Sequence, residues 1–252
     1  MKLALVGLGR MALAVERAAL DRGHEVVLRI GRAENPGGSA LTPERLSGVD
    51  VAVEFTVPGA APGNLMALAR AGVPTVSGTT GWTHDLPHVT AQVREHGSSL
   101  LHASNFSLGV ALFRRLVKQA AELMAPFQEY DPALLEIHHR HKVDHPSGTA
   151  RDLAELLVEV LPAKGHWAAP QDGSGPLEKD TLSVGWLRTG ENPGAHAVMF
   201  EGPLDRIELR HEARDRSVFA LGALRAAEWL PGRTGVFTLD DLLDSELRRE
   251  AD

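Results

Sequence analysis

Short apolar runs alternate with amphipathic stretches along the first hundred residues. Lys2 to Val6, Glu25 to Ile30, Asp50 to Phe55, Val73 to Ser77 and Ser99 to Ala103 read as strands. The first is wholly apolar after Lys2, as a strand buried on both faces must be. Helical periodicity fills the segment ending at Gly23, then Pro62 to Ala71 and Leu86 to His96, with residues 33–48 left as a Gly-, Pro- and Ser-rich loop. Strands alternating with helices predict a doubly wound parallel sheet. Leu108 to Met124 is a long amphipathic helix that leads out of this domain.

From Asp131 the pattern changes. Leu134 to His139, Thr181 to Arg188, Ala195 to Glu201 and Arg206 to Ala213 read as strands with one helix among them, an α+β arrangement. Pro162 to Lys179, with several Gly and Pro, predicts a flexible excursion. Val218 to Leu230 is helical, and Arg233 to Leu243 predicts a last short strand and turn that rejoin the first domain. The expected division is therefore 1–107 with 217–252, and 108–216.

The turn after the first strand is Gly7-Leu8-Gly9-Arg10-Met11-Ala12, a G-x-G-x-x-A pattern opening a helix. The first glycine permits a tight turn, the second lets a diphosphate approach the backbone, and the small Ala12 lets helix and strand pack closely. This context predicts a Rossmann-type dinucleotide site. An NAD-selective site usually carries an acid at the end of the second strand. Here Arg29 and Arg32 stand instead, which favours a 2′-phosphate and hence NADPH, with NADH possible; the plainer reading is two solvated charges. Gly78-Thr79-Thr80-Gly81 and Ser104-Asn105-Phe106-Ser107 follow the fourth and fifth strands. That is the edge where such sheets bind ligands.

Chemistry concentrates in EIHHRHKVDHPSGTA, Glu136 to Ala150. His138, His139, Arg140, His141, Lys142, Asp144 and His145 precede a helix opening at Ser147-Gly148-Thr149, with Leu153, Ala154, Leu157, Val158 and Leu161 as its apolar face. Proton carriers and cations beside free helix N–H groups suit a small, multiply negative substrate that must be protonated. Solvated histidines are the bland alternative. A metal site is the sharper rival, through His138 and His141 or His141 and His145. Arg140 and Lys142 would stand where the ion sits, so no metal is expected. Asp144 would orient a base or cap the turn, while Arg214, Asp215 and Arg216 would anchor a hinge or form a solvated run.

Composition narrows the classes. A net charge of -7 excludes the broad basic field nucleic-acid binding needs. The absence of cysteine excludes disulfides, thiolate metal sites and cysteine nucleophiles. No apolar run approaches a membrane span, so a cytoplasmic protein without nucleic-acid or membrane partners is expected.

The signature stretch closely resembles that of the 4-hydroxy-tetrahydrodipicolinate reductase (dihydrodipicolinate reductase) family. GLGRMA, GTTGW, ASNFSLGV, the strands around Val184 to Arg188 and His196 to Phe200, and RSVFALGALRAAEWL match in order over essentially the whole chain. The resemblance implies a Rossmann cofactor domain and a mixed α/β domain that binds substrate and builds a homotetramer. It implies reduction of a cyclic imine-type dicarboxylate by NADPH or NADH, in the diaminopimelate route to lysine. By position, His138 resembles the proton donor or acceptor and Lys142 a second donor. His139 resembles a substrate-contact histidine, and Gly148 and Thr149 resemble the amides that take a carboxylate; Ser147 adds a further N–H group at the helix start. Gly78 to Thr80 and Ala103, Ser104, Asn105 and Phe106 resemble nicotinamide-side contacts. The turn with Gly7, Gly9 and Ala12 and the Gly31-Arg32 pair after the second strand depart from the family's pattern, so Gly7, Leu8, Gly9, Arg10, Met11 and Arg32 are expected on the nucleotide side from their own residue types. An amino-acid dehydrogenase of the same build would share the glycine turn, but has no reason to keep HHRHK next to PSGT. A non-catalytic NADPH-sensing protein would need no proton-donor cluster.

Overall fold

A computed structural model describes residues 1–169 and 175–249. The chain divides into two compact units, 1–108 with 217–252, and 109–216.

In the first unit, β1 (Lys2–Val6), β2 (Glu25–Ile30), β3 (Val51–Glu54), β4 (Thr75–Ser77) and β5 (Ser99–His102) are joined by α1 (Arg10–Asp21), α2 (Ala61–Arg70) and α3 (Leu86–Glu95). After the second unit the chain returns with α6 (Ser217–Trp229), β11 (Gly235–Phe237) and α7 (Leu239–Arg249). The strands form one parallel sheet in the order β11-β5-β4-β3-β1-β2. This is the doubly wound sheet expected from the alternating pattern. The unbroken apolar strands explain the burial: Leu3 to Val6 and Val51 to Val53 have no exposed surface. The turn expected near residue 240 is instead the first part of α7. Its Leu239, Leu242 and Leu243 are buried, a helical spacing that the many acidic residues between them obscure.

In the second unit, α4 (Leu108–Met124) begins at the unit boundary and leads to β6 (Asp131–His138), α5 (Gly148–Val160), β7 (His166–Ala168), β8 (Thr181–Arg188), β9 (Ala195–Glu201) and β10 (Arg206–Glu212). The mixed sheet runs β10-β9-β6-β8-β7, with β6 parallel to β8 and antiparallel to β9. Phe113, Val117 and Ala121 of α4 and Leu153 and Leu157 of α5 cover one sheet face, packing with Leu134, Leu182, Val184, Val198 and Phe200. The excursion expected over Pro162 to Lys179 contains an added strand, β7, paired to β8; its residues 170–174 lie outside the described residues.

Period-two alternation places Leu134, Glu136 and His138 on the helix-covered face of β6. Register then sets His196 opposite Glu136 and Arg188 opposite His138. Four polar side chains from three strands thus meet at the end of an apolar core.

Candidate active site

The glycine turn fits a dinucleotide. Gly7 has φ +90°, and a Cβ there would lie 2.1 Å from the Phe55 carbonyl oxygen, so the turn admits no side chain. Gly9 is the N-cap residue of α1, and nothing stands within 4 Å of where its Cβ would be. That empty space beside a helix N-terminus is what a diphosphate requires. Gly9, Arg10, Met11, Gly78, Thr79 and Thr80 converge on a cleft of about 300 Å³, completed by Phe55, Thr56 and Pro58. Leu8 is exposed in the turn itself. Ala103, Ser104, Asn105 and Phe106 follow β5 outside that lining; the Phe106 ring packs edge-on to Phe55 at 6.0 Å.

Glu54, at the end of β3, fixes the loops around this cleft. It is fully buried and accepts hydrogen bonds from Ser77 Oγ at 2.6 Å, Thr79 Oγ1 at 3.0 Å and the Thr56 hydroxyl. Thr79 Oγ1 also accepts from the Thr56 amide at 2.7 Å. Burial pushes the Glu54 carboxyl above its usual range, although the surrounding hydroxyls pull the other way. The sequence reading missed it, because an acid inside an apolar strand carries no local motif.

The two arginines of β2 and its loop differ. Arg29 is paired with Glu16 of α1 and also donates to the Val26 carbonyl. Arg32 is exposed and makes no ion pair among the described residues. An acid does stand nearby: Glu34 accepts from the Gly31 amide at 3.0 Å and pairs with Arg45.

In the second unit the signature residues surround the start of α5. Ser147 is its N-cap, with Oγ accepting from Ala150 N at 3.2 Å, and Gly148 and Thr149 open the helix. His138 is buried, and its Nδ1 meets the Glu136 carboxylate. The other Glu136 oxygen accepts from Arg188 Nη2 at 2.7 Å and from the Ser147 amide at 3.2 Å. Burial would raise the Glu136 pKa, but His138 and Arg188 outweigh it and hold the group below the usual carboxylate range. The pair occupies Nδ1, and among the described residues His138 Nε2 makes no hydrogen bond.

The remaining signature groups are more open. Lys142 Nζ donates to Asp144 Oδ1 at 2.7 Å. Burial raises the Asp144 pKa, but Lys142 and local backbone amides more than offset it. Asp144 thus holds the lysine. His139 Nε2 lies 3.2 Å from Arg216 Nη2, and desolvation and that cation depress its pKa. His145 packs on Trp186 at 4.7 Å, and His141 stands exposed near Glu191.

The metal pairings expected as rivals are not what the fold gathers. Among the described residues, the group able to present three ligand atoms within 4.8 Å is Glu136, His138 and His196. Arg188 already neutralises Glu136 there, and a cation 2.7 Å from the carboxylate opposes a metal ion. Sequence reasoning missed Glu136, Arg188 and His196 as site groups, although the strands carrying them were recognised. Glu136 was legible in principle: on a strand, i and i+2 share a face.

The chain matches the profile described as dihydrodipicolinate reductase, N-terminus, over residues 1–106, and that described as dihydrodipicolinate reductase, C-terminus, over residues 109–243. It is 36% identical over 244 residues to a 4-hydroxy-tetrahydrodipicolinate reductase of Christiangramia forsetii, covering 96% of this chain and 98% of the relative. A relative of the same name from Methanopyrus kandleri is 40% identical over 235 residues, covering 90% and 84%. A dipicolinate-bound dihydrodipicolinate reductase from Paenisporosarcina sp. TG-14 shares the fold, with TM-score 0.74 at 21% identity over 94% of this chain and 97% of that one. These similarities do not favour an amino-acid dehydrogenase. Both halves of the chain match the two halves of one enzyme family, and the protein is a member of it: the dihydrodipicolinate reductases.

Proposed function

We propose that the protein reduces 4-hydroxy-tetrahydrodipicolinate, or its dehydrated imine, to tetrahydrodipicolinate on the diaminopimelate route to lysine. The observation that carries the reading is the joining of His138 to a buried carboxylate beside the N-terminus of α5. Family membership supplies the reaction class.

A nicotinamide cofactor held at the glycine turn would supply hydride to the electron-poor C=N–C=C system. Gly7, Leu8, Gly9, Arg10 and Met11 hold its diphosphate, and Arg32 receives a 2′-phosphate, which makes NADPH the preferred donor. Gly78, Thr79 and Thr80, with Ala103 to Phe106, position the nicotinamide side. In the second unit, Ser147, Gly148 and Thr149 bind one substrate carboxylate through helix N–H groups, and His139 contacts the substrate. Negative charge left by hydride addition is met by Lys142 and quenched by a proton from His138 Nε2.

The sheet face of the second unit opposite α4 and α5 carries half-buried Leu135, Ile137 and Met199 and exposed Leu187. This apolar face supports the reading that the unit also assembles a homotetramer. Among the described residues no helix is long and apolar enough to cross a membrane; a cytoplasmic location is part of the proposal.

His138→Ala and Lys142→Ala test the assignment. Each is expected to lower turnover by at least a hundredfold with folding kept, the scale of a lost proton donor. Near-normal turnover in both would refute it.

A further inference from the structure

Ser147 Oγ sits between two partners. It accepts from Ala150 N at 3.2 Å, and His196 Nε2 lies 3.2 Å away on its other side. His196 projects from β9 opposite Glu136 and is 5% exposed. Its second nitrogen, Nδ1, is buried without a partner among the described residues. Burial first, and then the neighbouring His138, depress the His196 pKa to about 4, so the ring carries one proton at neutral pH.

That single proton has two possible homes. On Nδ1 it would be a buried N–H with nothing to bond, which folded proteins rarely tolerate. On Nε2 it is used at once, donated to Ser147 Oγ. Both lone pairs of that oxygen are then filled, by Ala150 N–H and by His196 Nε2–H. The hydroxyl proton can only point away from the protein partners.

We propose that His196 is a positioning residue that makes the Ser147 hydroxyl an obligate donor to a ligand carboxylate at the N-terminus of α5. This rests on the reading of that helix start as a carboxylate subsite. Without the imidazole donor, the hydroxyl proton is no longer held outward, and its hydrogen bond to the carboxylate weakens.

The test is calorimetric binding of pyridine-2,6-dicarboxylate to the full chain with reduced cofactor present. Ser147→Ala is expected to weaken binding roughly 10- to 100-fold, the worth of a hydrogen bond to a charged group, and His196→Leu to weaken it by a smaller factor, roughly three- to tenfold. The double variant should be no weaker than Ser147→Ala alone, because the histidine acts through the serine. His196→Gln, which retains an N–H near Nε2, should recover most of the affinity. Nitrogen-15 shifts of the wild-type ring should show Nε2 protonated, a readout that stands even if the leucine variant fails to fold. Losses that multiply in the double variant, or a proton on Nδ1, would overturn the proposal. Wild-type binding without imine reduction would remove the reductase reading alone; no wild-type binding would remove both.

Discussion

The Glu136 carboxylate joins His138 Nδ1 from two positions earlier on the same strand, on an acid with no exposed surface. Arg188, from the neighbouring strand, holds the other carboxylate oxygen and keeps the acid ionised. An acid so placed orients the imidazole through its Nδ1.

Glu136→Gln keeps the shape and removes the charge. Turnover is expected to fall roughly a hundredfold, in the range of general acid-base effects, while the KM for reduced cofactor stays unchanged. Steady-state kinetics beside a thermal melt decides it. A kcat within threefold of wild type would mean that His138 does not depend on its carboxylate.

The buried His196 gives the second unit a specific acid sensitivity. Its folded pKa is about 4 against an ordinary 6.5, so the unfolded chain takes up the proton first. The contribution is complete above the ordinary value and is lost as pH falls from 6.5 towards 4. At pH 5 wild type should have lost about 2 kcal/mol from this group. His196→Gln should lack that loss, which urea midpoints at pH 7.5 and 5 would show. Parallel declines in the two proteins would contradict the neutral, buried assignment.

The two glycines of the turn should separate folding from binding. Gly7→Ala drives a methyl into the Phe55 carbonyl at positive φ, and a loss of a few kcal/mol of stability is expected. Gly9→Ala meets no protein atom, so its melting temperature should stay put while the KM for cofactor rises roughly tenfold or more. Unchanged cofactor KM in Gly9→Ala would place the diphosphate elsewhere.

Arg32 is the candidate reader of a 2′-phosphate, with Arg29 held by Glu16. Arg32→Ala should raise the KM for NADPH about tenfold and leave that for NADH nearly unchanged, the loss of one phosphate contact. Equal effects on both cofactors would show that Arg32 does not read the 2′-phosphate.

What was legible in the sequence was local. The G-x-G turn, the alternating strands and the PSGT helix start are each written within a dozen residues, and the structure reproduces those elements. The partners of the signature histidines were not legible as such. Arg188 and His196 come from strands 52 and 60 residues beyond Glu136 and are brought in by sheet register. The pairing of Arg29 with Glu16 depends on how α1 lies on β2, which no periodicity reports. The terminal helix was hidden because Asp240, Asp241 and Asp244 dilute its leucine spacing.

The most direct measurement is oxidation of reduced cofactor in the presence of substrate generated in situ. Pyruvate and aspartate semialdehyde, condensed by the preceding synthase, would supply it, with NADPH and NADH assayed side by side. The expected result is consumption that requires the condensed substrate and is faster with NADPH. Cofactor that binds but is not consumed with either nucleotide would contradict the reductase assignment.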